Sequence, residues 1–134
     1  MEDRLIKFPK RNSQIIDFIG LERRRKITPT DIDGFIDYNG NAFIYFDAKV
    51  EGVPVSYGQR RAYENIVKSH VDGGRKACAF IFRHNTPHEE SVIAKDGIID
   101  EYYWGGRWVK GNNNTVLQAI ELIEAIWEKD GVKL

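Results

Sequence analysis

The stretch Asp31-Ile-Asp-Gly-Phe-Ile-Asp-Tyr38, Asn39-Gly40-Asn41, Ala42-Phe-Ile-Tyr-Phe-Asp-Ala-Lys-Val50 decides how this chain folds. Two runs rich in β-branched and aromatic residues flank a turn whose Asn and Gly tolerate positive φ, which predicts strands over 31–38 and 42–50 joined as a hairpin. Period-2 alternation places Ile44, Phe46, Ala48 and Val50 on one face of the second strand and Phe43, Tyr45, Asp47 and Lys49 on the other. In the first strand Ile32, Gly34 and Ile36 alternate against Asp31, Asp33, Phe35 and Asp37. Register decides what this means. An odd-numbered loop centred on Gly40 sets Asp33 opposite Asp47 and Asp31 opposite Lys49, with cross-strand Cβ separations of about 4.5–5.5 Å. A two-residue Asn39-Gly40 turn without a bulge puts Asp33 and Asp47 on opposite faces.

Outward from the hairpin, the period switches between 3.6 and 2. Before it, Ile15, Ile16, Phe18, Ile19 and Leu21 predict a helix from Asn12 or Ser13, its basic run Arg23 to Lys26 complementing a negative C-terminal end and Pro29 closing it. After it, Tyr63, Ile66, Val67, His70 and Val71 form a stripe that predicts a helix over 57–71, stopped by Gly73-Gly74. Ala77 to Phe82 reads as a fully buried strand. Further strand-like pieces lie at 91–94, 98–104 and 107–109. Val116, Leu117, Ile120, Ile123, Ala125, Ile126 and Trp127 follow helical spacing behind the capping box Thr115-x-x-Gln118. The order predicts an α+β domain spanning 1–134 around a mixed sheet.

Composition bounds the function. With 134 residues, 42% apolar and 30% charged, the chain supports one core. Twenty Lys+Arg balance twenty Asp+Glu, so a polyanion has to be held by a local basic patch, and histone-like or supercharged binders are excluded. The single cysteine, Cys78, excludes an internal disulfide framework and a thiolate zinc cluster and suits a reducing compartment. No apolar run has the length of a membrane span, and Met1-Glu2-Asp3-Arg4 lacks a signal-peptide core. The expectation is a cytoplasmic protein with no membrane partner.

The hairpin carries the chemistry. Two carboxylates converging at the separation above repel, each raising the other's pKa unless a cation lies between them. All-oxygen ligands favour Mg²⁺ or Mn²⁺ over zinc, and Mg²⁺ commonly uses one or two carboxylates plus substrate phosphate oxygens. Lys49 then presents a point charge to an attacking water or to a phosphorane. The reaction expected is phosphodiester hydrolysis. The competing reading is a solvent-exposed strand edge with a surface ion pair. Gln59 shares a stripe with Tyr63 and Ile66 and points its amide toward the sheet, yet Ser56-x-x-Gln59 is also a capping box, and both readings stay open.

Asp33, a turn, Asp47-Ala48-Lys49 and a helix opening with Gln59 together resemble the PD-(D/E)XK nuclease superfamily. Within it, Asp-Tyr-Asn-Gly at 37–40, Tyr-Phe-Asp-Ala-Lys at 45–49, Gln59 and Asp72-Gly73-Gly74 are most similar to RecU-type Holliday junction resolvases, over Thr30 to about Phe82. The resemblance implies a restriction-endonuclease-like core of helix, three-stranded meander, helix and strand, with helices flanking the sheet in a three-layer arrangement. It implies that Asp33 and Asp47 bind the divalent metal, with Asp31 competing for that role, that Lys49 assists the attacking water and that Gln59 orients it. It also implies an acid on the first helix, for which Glu22 is the candidate; Glu22 equally suits a surface pair with Arg25 or Lys26. The chain departs from the pattern at Ile32, where Pro precedes the acid, at Asp47 in place of the commoner Glu, and in leaving little room before Asp31 for a first meander strand and none for a junction resolvase's stalk.

Arg23, Arg24, Arg25 and Lys26, with Arg60 and Arg61, flank the acidic hairpin and are read as DNA-phosphate contacts, against the alternative of helix-end complement and solvated face. His84 and His88 have helical ligand spacing, but Pro87 intervenes and no cysteine cluster accompanies them, so zinc is not expected. Tyr102, Tyr103, Trp104 and Trp108 are read as core and interface in preference to base stacking. The leading expectation is a Mg²⁺-dependent endonuclease for branched or structured DNA in recombination or repair, phage-encoded and homodimeric as two-strand cutting favours. A nuclease of the same fold with exonuclease action, a non-catalytic DNA-binding module on that scaffold, and an acidic structural domain are the alternatives.

Overall fold

The computed structural model describes residues 17–134. Five strands, β1 (Gly34–Asp37), β2 (Ala42–Val50), β3 (Lys76–His84), β4 (Ile98–Trp104) and β5 (Arg107–Lys110), form one sheet in the order β1-β2-β3-β4-β5. Helix α1 (Tyr57–Asp72) connects β2 to β3, and helix α2 (Val116–Lys129) follows β5. β2 and β3 pair in parallel, and every other neighbouring pair is antiparallel. The sheet is therefore mixed, with the parallel pair at its centre, and the α+β expectation holds.

Each helix covers one face. Ala42, Ile44, Cys78, Phe80, Phe82 and Ile99 pack against Val116, Ala119, Ile123 and Trp127 of α2. On the opposite face Tyr45 and Ala79 pack against Tyr63 and Val67 of α1. β3, buried on both sides, is the near-continuous apolar run that such burial requires. Thr115 closes the capping box of α2 with Gln118, as its spacing predicts.

Three expectations are corrected. Residues 17–26 form no α-helix: Gly20 has φ +86°, Arg25 and Lys26 also have positive φ, and Arg24–Lys26 is a single 3₁₀ turn. Ile19 is 88% exposed: the left-handed φ at Gly20, Arg25 and Lys26 interrupts a right-handed helix, so the apolar stripe is not gathered on one face. The part of that helix expected before residue 17 lies outside the described residues. The first hairpin strand is shorter than 31–38, beginning at Gly34, and among the described residues two strands, not three, precede α1. Residues 91–94 are not a strand; a 3₁₀ turn, Ala94–Asp96, follows instead.

Candidate functional site

The hairpin closes on a three-residue loop. Tyr38 and Ala42 are joined by a backbone bond from Tyr38 N–H to the Ala42 carbonyl, Asn39 and Gly40 take φ of 56° and 79°, and the Asp37 carboxylate accepts the Gly40 N–H at 2.6 Å. Gly34 pairs with Phe46 and Asp37 with Phe43, a register centred on Gly40. The odd-numbered loop is thus the one formed. Gly34 permits the strands to approach, since a Cβ there would overlap the Phe46 ring.

Just before β1, Asp33 replaces a ladder bond with its side chain: Oδ2 accepts the Ala48 N–H at 2.7 Å. Asp47 lies on the α1 side of β2, where alternation also puts Tyr45. It is 1% exposed, the buried charged residue of the described core. Its Oδ1 lies 3.4 Å from the Tyr63 hydroxyl, which also donates toward the Phe46 carbonyl at 3.3 Å. Its Oδ2 makes no hydrogen bond; Lys49 Nζ stands 3.2 Å from that oxygen as an ion-pair partner outside hydrogen-bond geometry. Burial, then the neighbouring Asp33 carboxylate, raise the Asp47 pKa to about 6 against the lowering pull of Lys49. The Tyr63 phenol is likewise held above its ordinary range, by burial and by Asp47.

A buried carboxylate oxygen without a hydrogen bond is costly unless a cation completes it. Lys49 supplies one positive charge to that oxygen, and the two carboxylates of Asp33 and Asp47, with their all-oxygen donors, leave one negative charge over, which fits a hard divalent ion such as Mg²⁺. The donor set is small. Among the described residues no three His, Cys, Asp or Glu side chains converge, so neither Asp31 nor Glu22 joins the Asp33–Asp47 pair. Both are exposed on backbone outside helix and strand.

Gln59 occupies the first turn of α1, half-buried. Its N–H donates to Ser56 Oγ at 3.1 Å, while the return bond from its amide to the Ser56 backbone is not formed, so the expected capping box is one-sided. Among the described residues the side-chain amide makes no hydrogen bond. Arg60 is committed: it makes a two-pronged pair with Glu101, at 3.1 and 2.5 Å, and stands 4.9 Å over the Trp108 ring, whose Nε1–H donates to Glu64. Arg61 pairs with Glu64. Arg23, Arg24, Arg25 and Lys26 are exposed around the 3₁₀ turn. His84 Nδ1 accepts the Thr86 N–H, and His88 is exposed.

Two site residues escaped the sequence reading. Tyr63 was placed on an apolar stripe, although a tyrosine there has a hydroxyl to satisfy, and that hydroxyl finds Asp47. Arg83 donates from Nε to Asp100 at 3.0 Å and from its terminal nitrogen to the carbonyls of Val50 and Val53, clasping the turn that leaves β2 directly after Lys49. The aromatic segment packs partly buried against the two core clusters, Trp104 stacking on Trp127 and Tyr103 leaning on Trp108. Among the described residues no helix is long and apolar enough to cross a membrane. Compared with protein-family models, curated proteins and solved structures, the chain matches none.

Proposed function

We propose that this chain is a Mg²⁺-dependent deoxyribonuclease of the PD-(D/E)XK type, similar to RecU-type Holliday junction resolvases and acting on branched or structured DNA as a homodimer. The observation that carries the reading is the buried Asp47, its Oδ2 without a hydrogen bond, set beside Asp33 and 3.2 Å from Lys49. The hairpin register supports it, because continuing the Gly34–Phe46 pairing by one residue sets Asp33 across from Asp47, and alternation puts Lys49 on the same side of β2.

Asp33 and Asp47 would hold the Mg²⁺ or Mn²⁺ ion, which when bound supplies Lewis-acid charge for a phosphodiester. Lys49 sits where its ammonium can orient the attacking water and offset the charge that develops as the new P–O bond forms and the leaving oxygen departs with a proton. Gln59, in the first turn of α1 one helical turn before Tyr63, would orient that water. The exposed Arg23 to Lys26 cluster supplies phosphate contacts; Arg60, bound to Glu101, supports the α1 side of the site instead.

The experiment is cleavage of single strands, duplexes, flaps and four-way junctions with Mg²⁺, Mn²⁺ or EDTA, by the parent, Asp47→Ala and Lys49→Ala. Cleavage that needs the metal and falls by about 10²-fold or more in either variant is expected. Cleavage in EDTA, or full activity in Asp47→Ala, overturns the reading, and binding without cutting on every substrate assigns a non-catalytic DNA-binding module.

A further inference from the structure

The same side of the hairpin carries aromatic rings that no catalytic step uses. Phe35 lies two residues from Asp33 and opposite Tyr45, so alternation puts its ring on the acidic side, about 7 Å along the strand from Asp33. The Phe35 and Tyr45 rings stack with centroids 5.3 Å apart and planes 19° from parallel. Tyr45 is itself fixed, its hydroxyl 2.9 Å from His70 Nε2 and its ring stacked on the imidazole, which lies 3.9 Å from the Phe43 ring. A ladder of rings thus runs from β1 toward α1 and holds Phe35 in one orientation.

Phe35 is nevertheless 56% exposed, on the edge strand of the sheet. Tyr45 covers one face of its ring. Among the described residues no strand pairs with β1 beyond its Tyr45 side, and more than half of Phe35 stays accessible. Asp31, Asp33 and Asp37 surround it in sequence and repel a bare phosphate chain, so a nucleic acid held here needs an apolar contact. Every base offers a π-face, and stacking on a protein ring tolerates any sequence. Within a duplex those faces are covered by neighbouring pairs, and only a base outside the stack can use the ring.

We infer that Phe35 is a stacking platform for an unpaired nucleobase, so that the site takes single-stranded DNA or a base extruded beside the scissile phosphate. The choice of a nucleobase as occupant, and what the site does with the strand, rest on the nuclease reading of Asp33, Asp47 and Lys49; the exposed, stacked ring does not.

The test compares the parent, Phe35→Leu and Phe35→Trp in buffer with Ca²⁺, using labelled single-stranded oligothymidylate, the same strand carrying abasic sites, and a blunt duplex, read by anisotropy and tryptophan emission. Phe35→Leu is expected to weaken single-strand binding roughly tenfold or more and to leave duplex binding unchanged. Phe35→Trp should restore affinity, with its added emission quenched by the intact strand and not by the abasic one. Single-strand binding by Phe35→Leu within about twofold of the parent, or an unquenched Phe35→Trp, overturns the inference. The two readings fail separately: stacking without cleavage of any DNA sinks the nuclease and keeps the platform, whereas cleavage with indifference to Phe35 does the reverse.

Discussion

Tyr63 reaches from α1 to Asp47, its hydroxyl 3.4 Å from Oδ1 and 3.3 Å from the Phe46 carbonyl, so a helix and a strand share one proton at the buried carboxylate. Tyr63→Phe keeps the ring and strips that donor. The expected cost is about 1–3 kcal/mol, because the carboxylate oxygen stays buried without its partner. Tyr63→Ala, which also opens a cavity, should cost about 3–5 kcal/mol. Urea unfolding of both variants checks the order; a Tyr63→Phe variant as stable as the parent would mean that the hydroxyl contributes nothing.

The raised Asp47 pKa has a defined consequence for stability in EDTA. Below about pH 4 the carboxyl is protonated in both states, given its ordinary value of 3.8. Between there and about 6 the unfolded chain ionises while the folded carboxyl keeps its proton, so stability falls as pH rises through this window and the penalty is complete above it. Asp47→Asn should remove this component of the slope, and Asp33→Asn should move it to lower pH by taking away the repelling charge. Thermal unfolding from pH 4 to 7 measures both.

Divalent cation should offset the same penalty. With Asp47 ionised at pH 7, millimolar Mg²⁺ that binds the folded protein alone raises Tm, stabilising the fold with the logarithm of ligand excess over Kd, by about 2.7 kcal/mol at a hundredfold excess. The rise should shrink toward pH 5 and vanish in Asp47→Asn. A Tm that ignores Mg²⁺ at pH 7 contradicts the metal assignment independently of any cleavage assay.

Arg83 binds Asp100 and two carbonyls of the turn after Lys49. Arg83→Met keeps much of the side chain's bulk and loses the fork; a drop of about 1.5–3 kcal/mol is expected, as for hydrogen bonds to a charged group. Arg83→Lys should recover little, since a single ammonium cannot reproduce the planar geometry. Hydrogen exchange at the amides of Glu51 and Val53, whose N–H groups bond His84 and Val50, should accelerate in both variants.

Gly34 is the tight point of the hairpin. A methyl group there meets the Phe46 ring, which stacks on Phe80 in the core, and Gly34→Ala is expected to cost about 1–3 kcal/mol through overpacking. Gly58→Ala, in the first turn of α1 where an added Cβ meets nothing within 4 Å, is the opposite case and is expected to stabilise by about 0.4–1 kcal/mol in the same denaturant titration.

Local pattern carried much of this molecule. The strand over 42–50, the helix opening at Tyr57, the buried run of β3 and the capped α2 each follow from side chains a few residues apart, because alternation, helical spacing and capping are short-range constraints. The same short range misled at residues 17–26, where positive φ at Gly20, Arg25 and Lys26 interrupts an apolar stripe of helical period and Ile19 is left exposed.

The placement of acids on one side of the hairpin was legible as a condition, one turn length allowing it and another forbidding it. Only the tertiary structure chose, through Asp33 bonding Ala48, and only it brought Tyr63, sixteen residues from Asp47 in sequence, to that carboxylate. Sequence by itself determined which residues could form strands, helices and a charged face. Packing of α1 against β2 decided which charge is buried and who neighbours it, because burial and cross-element contact depend on three-dimensional distance, which no local spacing encodes.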